Sequence, residues 1–203
     1  FQLVQLFLGG KATYAGCKTH LDGDDSRFTA DIGYLGTGDR TFDFNYDALQ
    51  TGRRTVSNMN ADGVLQDRSA KLFRGTIDFQ KGAAGSKGDE KEDVLLLGED
   101  VVNRTIPLIL CAEEDVEGNH GASIGQLDED ILFYMNSRGL SRAEAELLIT
   151  RSKLRRFAPR QTTRDSPIGC TVIWRRMPND PARNYELPGG LSPAAGEQGG
   201  LPG

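Results

Sequence analysis

His120 is the residue of this chain whose type and surroundings are best suited to chemistry. It is one of only two histidines and lies in the segment Asn-His-Gly-Ala-Ser at 119–123, which we predict to be a turn. A neutral imidazole is a good ligand for iron or zinc, and the small residues that follow it leave the ring accessible. Because metal sites usually take three or four ligands, two interpretations stay open: a metal ligand, or a histidine that only forms hydrogen bonds within its turn.

The other candidate ligands are weaker. Nearby acidic residues could add carboxylates, although such a run is more typical of a solvated face; they are Glu113, Glu114, Asp115 and Glu117. Cys17 and His20 have a spacing that could chelate a metal, but no second pair accompanies them. Cys111 lies in an apolar run, which predicts burial as a small hydrophobic residue. With Cys170, the three cysteines are widely spaced, so we expect reduced thiols and neither a disulfide framework nor a zinc site.

Residues 1–124, which must position these side chains, are predicted as β-structure. β-Branched and aromatic residues alternate with polar ones between turn residues, most clearly at 28–34, 41–46, 71–79 and 94–97. Such short strand-and-turn units fit a solenoid of stacked β coils as well as a sandwich. The small, polar and charged residues 81–93 are predicted as a solvated loop between coils.

Residues 125–154 are predicted as a helical hairpin. Acidic residues from Asp128 onward crowd the start of the first helix, and Gly139 ends it. Ser141 then opens the second helix, and Glu144 completes a capping box. Helices this short bury too little apolar surface to stand alone. The hairpin must therefore pack on the β body, for instance as a cap on its end, or on a partner.

Composition limits the remaining possibilities. The net charge of -5, the pI near 5.1 and the mean hydropathy of -0.44 disfavour nucleic acid and anionic membranes as partners. No apolar run approaches the roughly 20 residues of a membrane span, and we expect a cytoplasmic protein. The chain begins with Phe1 inside a strand-like pattern, which suggests that its natural N-terminus is missing. Residues 155–203 are rich in Pro, Gly and Arg, and we expect them to be either disordered or the product of a reading-frame error.

Short motifs between residues 21 and 149 carry a family resemblance. They are Arg-Thr-Val-Ser-Asn-Met at 54–59, Gly-Val-Leu-Gln-Asp at 63–67, Phe-Arg-Gly-Thr-Ile at 73–77, Leu-Leu-Leu-Gly at 95–98, Ile-Pro at 106–107, His-Gly-Ala-Ser at 120–123, Leu-Phe-Tyr at 132–134 and Ser-Arg-Gly-Leu-Ser-Arg-Ala-Glu-Ala at 137–145. Together they resemble the SufB/SufD family, the scaffold subunits of an iron–sulfur cluster assembly machine.

The resemblance implies both a fold and partners. The implied fold is a mainly β right-handed parallel β-helix, or β-solenoid, followed by a short α-helical hairpin. The implied partners are a SufB-type subunit or a second copy of the chain, and the ABC-type ATPase SufC, which docks on the helical segment in this family. The hairpin residues expected to engage a partner are Leu132, Phe133, Tyr134, Arg138 and Leu147.

The resemblance also gives His120 a role. Aligned with the family, His120 matches the SufD histidine that faces the nascent cluster, whereas the cysteine of SufB falls at Glu92 and its glutamate at Gly121. The chain therefore looks like the SufD branch or an unassigned SufB/SufD-like paralogue, a scaffold with no turnover of its own. Such a scaffold would hold an iron–sulfur cluster only transiently and no tightly bound cofactor.

Two alternatives remain open. Gly118 and Asn119 occupy the Cys and Ser positions of the common SufD motif, so the chain could be a purely structural interaction subunit without cluster ligation. A β-helix carbohydrate-active enzyme is the other possibility. It would need paired carboxylates on a groove, whereas the aspartates of this chain lie mostly at turns, where they are expected for backbone reasons.

Overall fold

The computed structural model describes residues 1–157 as nine strands and two helices. The strands are β1 Gln2–Phe7, β2 Ala12–Leu21, β3 Arg27–Gly36, β4 Thr41–Gln50, β5 Val56–Gln66, β6 Ala70–Phe79, β7 Ser86–Leu97, β8 Val102–Cys111 and β9 Val116–Gln126. The helices are α1 Glu129–Ser137 and α2 Arg142–Leu154, and the 3-10 turn Arg155–Phe157 follows them. The β region thus runs two residues beyond its predicted end.

Successive strands along the chain belong alternately to two sheets. The odd sheet has the order β1-β3-β5-β7-β9 and the even sheet the order β2-β4-β6-β8. Every neighbouring pair is parallel, so each coil of the chain adds one strand to each sheet. This is a β-solenoid, and the predicted fold class, a β-helix followed by a helical hairpin, is confirmed.

The coils stack at an interval of about 30 residues, from 27 between β1 and β3 to 32 between β6 and β8. Arg27 lies beside Val56 in the odd sheet, and side-chain bonds repeat the same offset at the corners. The Arg54 guanidinium donates to the two carboxylate oxygens of Asp25 at 2.9 and 2.8 Å, a pair 29 residues apart. Asp25 and Arg54 both have a positive φ, 60° and 55°, because they occupy the same tight corner in successive coils.

The hydrophobic core lies between the two sheets. Strand residues alternate between this interior and the outer surface, and β6 is buried at every second position. The largest apolar and aromatic side chains of the interior are Phe28, Ile32, Tyr34, Phe44, Tyr46, Met59, Leu65, Phe73, Ile77 and Phe79. Gly63 leaves the space that the Tyr34 ring fills, since a Cβ on Gly63 would overlap the ring.

The predicted loop at 81–93 is wrong for most of its length. Only 81–85 form a turn, and β7 begins at Ser86, paired with β5 on one side and β9 on the other. The inward positions of this strand begin with Ser86, Gly88, Glu90 and Glu92, which are small or charged. No apolar alternation was therefore visible, although the backbone pairing is that of an ordinary interior strand.

The hairpin begins and ends as its capping residues predict. Asp128 accepts a hydrogen bond from the backbone of Asp130 at 2.8 Å and caps α1. The predicted end at Gly139 is confirmed by its φ of 90°. In the predicted capping box, Ser141 accepts from the Glu144 backbone at 3.3 Å, and its own backbone donates to the Glu144 carboxylate at 2.8 Å.

The hairpin packs on the outer face of the odd sheet, not on the end of the solenoid. The residues of this second apolar cluster are Leu8, Leu35, Val64, Leu95, Leu154 and Phe157. The Phe157 ring lies over Gly33, where a Cβ would come within 2.7 Å of it. Ion pairs also join α2 and the 3-10 turn to the strands: Lys153 Nζ with Asp93 at 2.6 Å, and Arg156 with Asp62 at 2.5 Å and with Asp31 at 3.2 Å.

The first residues of the predicted tail belong to the folded unit, because Arg156 and Phe157 make these contacts. The predictions of disorder or a reading-frame error at 158–203 lie outside the described residues. Neither α1 nor α2 is long and apolar enough to cross a membrane.

Candidate functional site

His120 lies in the middle of β9, so the prediction of a turn at this position is wrong. His120 lies beside Glu90 of β7 in the sheet. Both side chains are on the inner face of the odd sheet and point into the solenoid. No strand of residues 1–157 pairs with the far edge of β9, so the interior is open at this end. The His120 side chain is consequently 28% exposed, with Nδ1 at 3.6 Å from Oε1 of Glu90.

Glu90 is buried without a hydrogen-bond partner. Its side chain is 0% exposed, and neither carboxylate oxygen accepts a hydrogen bond in the described part of the chain. The carboxylate reaches across the interior to β6, where Gly75 leaves room for it. Burial raises the pKa of Glu90 to about 7; the charge of Glu92 adds to the rise and that of Lys71 opposes it.

Glu92, the next inward residue of β7, is fully paired. It forms an ion pair with Lys71 of β6 in which both side chains are shielded from solvent. Thr105 of β8 donates to the other carboxylate oxygen of Glu92 and accepts from Lys71 Nζ at 3.1 Å. Burial lowers the pKa of Lys71, and Glu92 opposes that shift. We call Lys71, Glu90, Glu92, Thr105 and His120 the interior polar cluster.

The interior polar cluster can hold charge, but it is not a complete metal centre. Within residues 1–157, no three His, Cys, Asp or Glu side chains are arranged to hold a metal ion. His120 and Glu90 are the only two members of the cluster that present unpaired polar atoms to each other. Any metal bound there would need further ligands from solvent or a second protein.

Sequence reasoning identified His120 but assigned no role to the rest of the cluster. The missed signal is the alternation of inward and outward positions along a strand. Glu90 and Glu92 stand four and two residues before the buried Val94, and in a strand such positions share one face. Treating residues 81–93 as a loop concealed this relation.

Among residues 1–157, Cys17, Cys111 and the second histidine do not join the site; Cys170 lies outside the described residues. Cys17 points into the solenoid, with Sγ 3.4 Å from Thr19 Oγ1, whereas His20 lies on the outer face of β2. Chelation by this pair is ruled out, because residues three apart in a strand face opposite sides. The predicted burial of Cys111 is also wrong: it is exposed at the end of β8, which no further strand of the described chain covers.

The acidic residues before His120 make contacts away from the interior polar cluster. Glu113 accepts from the Gly82 backbone at 2.9 Å, and Glu117 pairs with Lys87 at 2.7 Å on the exposed outer face. These contacts lower the pKa of both carboxyls. The run is thus a solvated face that ties adjacent coils together.

The predicted partner-binding residues of the hairpin divide by exposure. Leu132 is 1% exposed and lies inside the fold, which removes it from the side chains available to a partner, and Leu147 is half-buried. Phe133 and Tyr134 are 75% and 58% exposed. The Arg138 guanidinium stacks 5.2 Å from the centre of the Tyr134 ring. We call Phe133, Tyr134 and Arg138 the hairpin surface.

The open end of the solenoid carries a second exposed apolar surface. The residues of this stripe alternate along the edge strand β8 and face outward; they are Val102, Ile106, Leu108 and Leu110. An unpaired strand edge next to an apolar stripe is a surface that proteins usually cover with another chain.

Comparison with known proteins connects this geometry to a family. The family model described as SUF system FeS cluster assembly, SufBD core domain, matches residues 1–153. The iron–sulfur cluster assembly protein SufD of Bacillus subtilis is 30% identical over 131 residues, 64% of this chain. A SufBD family protein of Staphylococcus saprophyticus is 26% identical over 172 residues, 84% of this chain.

A chloroplastic SufBD family protein of Arabidopsis thaliana is 27% identical over 142 residues. The matches cover 30%, 36% and 26% of the lengths of these three relatives, so the chain corresponds to about a third of such a protein. A family match over residues 1–153 confirms the resemblance drawn from the motifs. The chain belongs to the SufBD family of iron–sulfur cluster assembly proteins.

Proposed function

We propose that this chain is a SufD-like scaffold subunit on which an iron–sulfur cluster is assembled and from which it is transferred. The observation that carries the proposal is the position of His120, whose ring is exposed at the open end of the solenoid. A neutral imidazole there can bind iron while the remaining ligands come from a second subunit. The identity to a protein named SufD supports this branch of the family.

The open end is the proposed interface with the second subunit, either a SufB-type protein or another copy of this chain. Within residues 1–157, both sheets end there in strands that are paired on one side only, β8 and β9. The outward apolar stripe on β8 lies at the same end. Pairing a partner at these edges would satisfy the free backbone groups and bury the stripe, and it would enclose His120 between the two proteins.

The hairpin surface is the proposed docking site for a SufC-type ABC ATPase. Phe133 and Tyr134 are large aromatic side chains exposed to solvent. Aromatic residues often anchor protein interfaces. The hairpin is also joined to the site: Lys153 pairs with Asp93, which directly follows Glu92 in β7. Movement of the hairpin by the ATPase would therefore pull on the strand that carries the interior polar cluster.

In this role the chain has no turnover of its own, holds the cluster only transiently and works in the cytoplasm. A purely structural subunit is the second candidate. It is favoured by Gly118 and Asn119, which replace the Cys and Ser of the common SufD motif. It is favoured also by the lack of a third metal ligand at His120 within residues 1–157.

Binding to the ATPase tests the proposed assembly. We expect the whole chain to co-purify with a SufC-type ATPase, and the double variant Phe133→Ala, Tyr134→Ala to lose at least about tenfold in affinity, as interface aromatics commonly do. Tyr14→Ala is the matched control, because Tyr14 is an exposed aromatic on the outer face of β2. Unchanged affinity of the double variant, or no binding by the wild type, would contradict this docking site.

A further inference from the structure

We propose that Glu90 and His120 together bind one divalent iron ion at the open end of the solenoid, before any cluster forms. The inference rests on the proposed function, in which iron is the cargo of the scaffold. It adds a second protein ligand, Glu90, that the family resemblance does not assign. It also predicts that the isolated chain binds iron without a partner subunit.

The first step is the unsatisfied state of Glu90. A buried carboxylate without a partner is costly, and interiors normally pair it with a cation or several donors. Glu92, two residues along the same strand, has both: Lys71 and Thr105 contact its two oxygens. Glu90 is as deeply buried, but neither of its oxygens accepts a hydrogen bond, and the side chain that faces it is the His120 imidazole at 3.6 Å. A cation bound between Glu90 and His120 would give this carboxylate the partner that Glu92 finds in Lys71.

The second step is the distance to His120. Oε1 of Glu90 and Nδ1 of His120 are 3.6 Å apart. With metal–ligand bonds of about 2.1 Å, an ion between the two atoms would subtend a ligand angle of about 118°. That is close to a tetrahedral angle and within reach of an octahedral one after a small side-chain adjustment. An ion thus fits between the two atoms without movement of either strand.

The third step is access. Glu90 is closed off from water, but His120 is partly exposed at the mouth of the interior. An ion can therefore approach from the His120 side, and its remaining coordination positions would face solvent or a docked partner. Ala122, the next inward residue of β9, pairs with the inward Glu92 and is exposed, and its small side chain leaves this approach open.

The ligand types indicate the kind of ion. One imidazole and one carboxylate, with no thiolate, suit a divalent first-row metal such as Fe²⁺ and disfavour Cu(I). Lys71 would not repel the ion strongly, because Glu92 already neutralises its charge. An incoming Fe²⁺ would thus supply the positive charge that the buried Glu90 carboxylate lacks.

The test uses the purified full chain alone, without oxygen. Fe²⁺ binding is measured by equilibrium dialysis, and Co²⁺ serves as a spectroscopic probe of the same site through its visible absorption. We expect one ion per wild-type chain, and affinity at least tenfold weaker in both Glu90→Gln and His120→Ala. Asp89→Asn is the matched control: it removes an acid from the adjacent position of β7, which faces outward, and should bind like the wild type.

Thermal unfolding of each variant without metal checks that the fold is retained. The inference is overturned if the wild type binds no ion, or if Glu90→Gln binds as tightly as the wild type. It is overturned also if Asp89→Asn weakens binding equally, since the effect would then be one of net charge. Glu90 is buried and is not part of the surfaces proposed to dock the ATPase and the partner subunit. Complexes that form and load a cluster alongside a metal-free isolated chain would therefore reject this inference and leave the proposed function intact.

Discussion

At the scale of the residue, the unusual feature of this chain is charge inside a β-solenoid. Lys71, Glu90 and Glu92 all point into the interior and are almost fully buried. The pair of Lys71 and Glu92 can persist because each ion compensates the other and Thr105 adds a hydrogen bond. Glu90 lacks such compensation, so its protonation state should be visible in the stability of the whole fold.

The pH dependence of stability should report Glu90. Its pKa is about 7 in the folded protein and near 4.3 in an unfolded chain, so the folded state binds the proton more tightly. The free energy of unfolding should then fall as the pH rises from about 4.5 to about 7, by about 3 kcal/mol. The fall should be complete once the pH exceeds the folded pKa.

Urea denaturation of the wild type and of Glu90→Gln across this pH range measures the effect. The variant carries no titratable group at this position, so its stability relative to the wild type should be greater at pH 8 than at pH 5. Asp89→Asn, on the exposed side of the same strand, should keep the wild-type pH profile. If the stability of the wild type and of Glu90→Gln changed with pH in the same way, burial of the Glu90 carboxyl would not cause the predicted pH dependence.

Sequence could identify His120 at this scale because histidines are rare in the chain and the segment at 119–123 carries a family motif. It could not identify Glu90 or Lys71. Charged residues are normally read as exposed, and their burial depends on the inward parity of β7 and β6. That parity is fixed by strand pairing with residues about 30 positions away, which a local pattern does not contain.

At the scale of the element, the helices were predictable and one strand was not. Caps are local signals, so Gly139, Ser141 and Glu144 were sufficient to define the hairpin. β7 is held instead by its neighbours β5 and β9, and its own residues at 86–93 favour a loop. The site where the hairpin packs was equally hidden, because it depends on the outer apolar positions of three separate strands: Leu35, Val64 and Leu95.

The contact between Phe157 and Gly33 should control how firmly the hairpin is held. A methyl group in Gly33→Ala would come within 2.7 Å of the Phe157 ring and 2.8 Å of Leu6. We expect the change to cost roughly 1–3 kcal/mol, as overpacking usually does, and to loosen α2 before the sheets. Hydrogen exchange of the α2 amides measures this directly.

Gly125→Ala is the control for this substitution, since nothing lies within 4 Å of the added methyl group. It should leave the exchange of α2 unchanged. If Gly33→Ala also leaves α2 protected as in the wild type, the docking of the hairpin through Phe157 is not what holds it on the odd sheet.

At the scale of the whole molecule, the structure places two exposed surfaces on one solenoid with its packed hairpin. The open end carries His120 and the apolar stripe of β8, and the hairpin carries Phe133 and Tyr134. The ion pair of Lys153 with Asp93 links the hairpin to the strand behind His120. The fold class followed from the family motifs. Strand periodicity alone could not distinguish a solenoid from a sandwich, because the coils repeat in their side-chain pairings, such as Arg54 with Asp25, and not in their residue types.

The central claim is that His120 holds iron in a working scaffold. The most direct measurement is the iron and acid-labile sulfide content of the chain purified without oxygen with a SufB-type subunit and a SufC-type ATPase. Wild type, His120→Ala and His20→Ala should be compared; His20 is the other histidine and lies on the outer face of β2. We predict that His120→Ala still forms the complex but loses most of its iron and sulfide, while His20→Ala loads like the wild type. A complex of His120→Ala that loads as fully as the wild type would contradict the claim and leave a purely structural subunit.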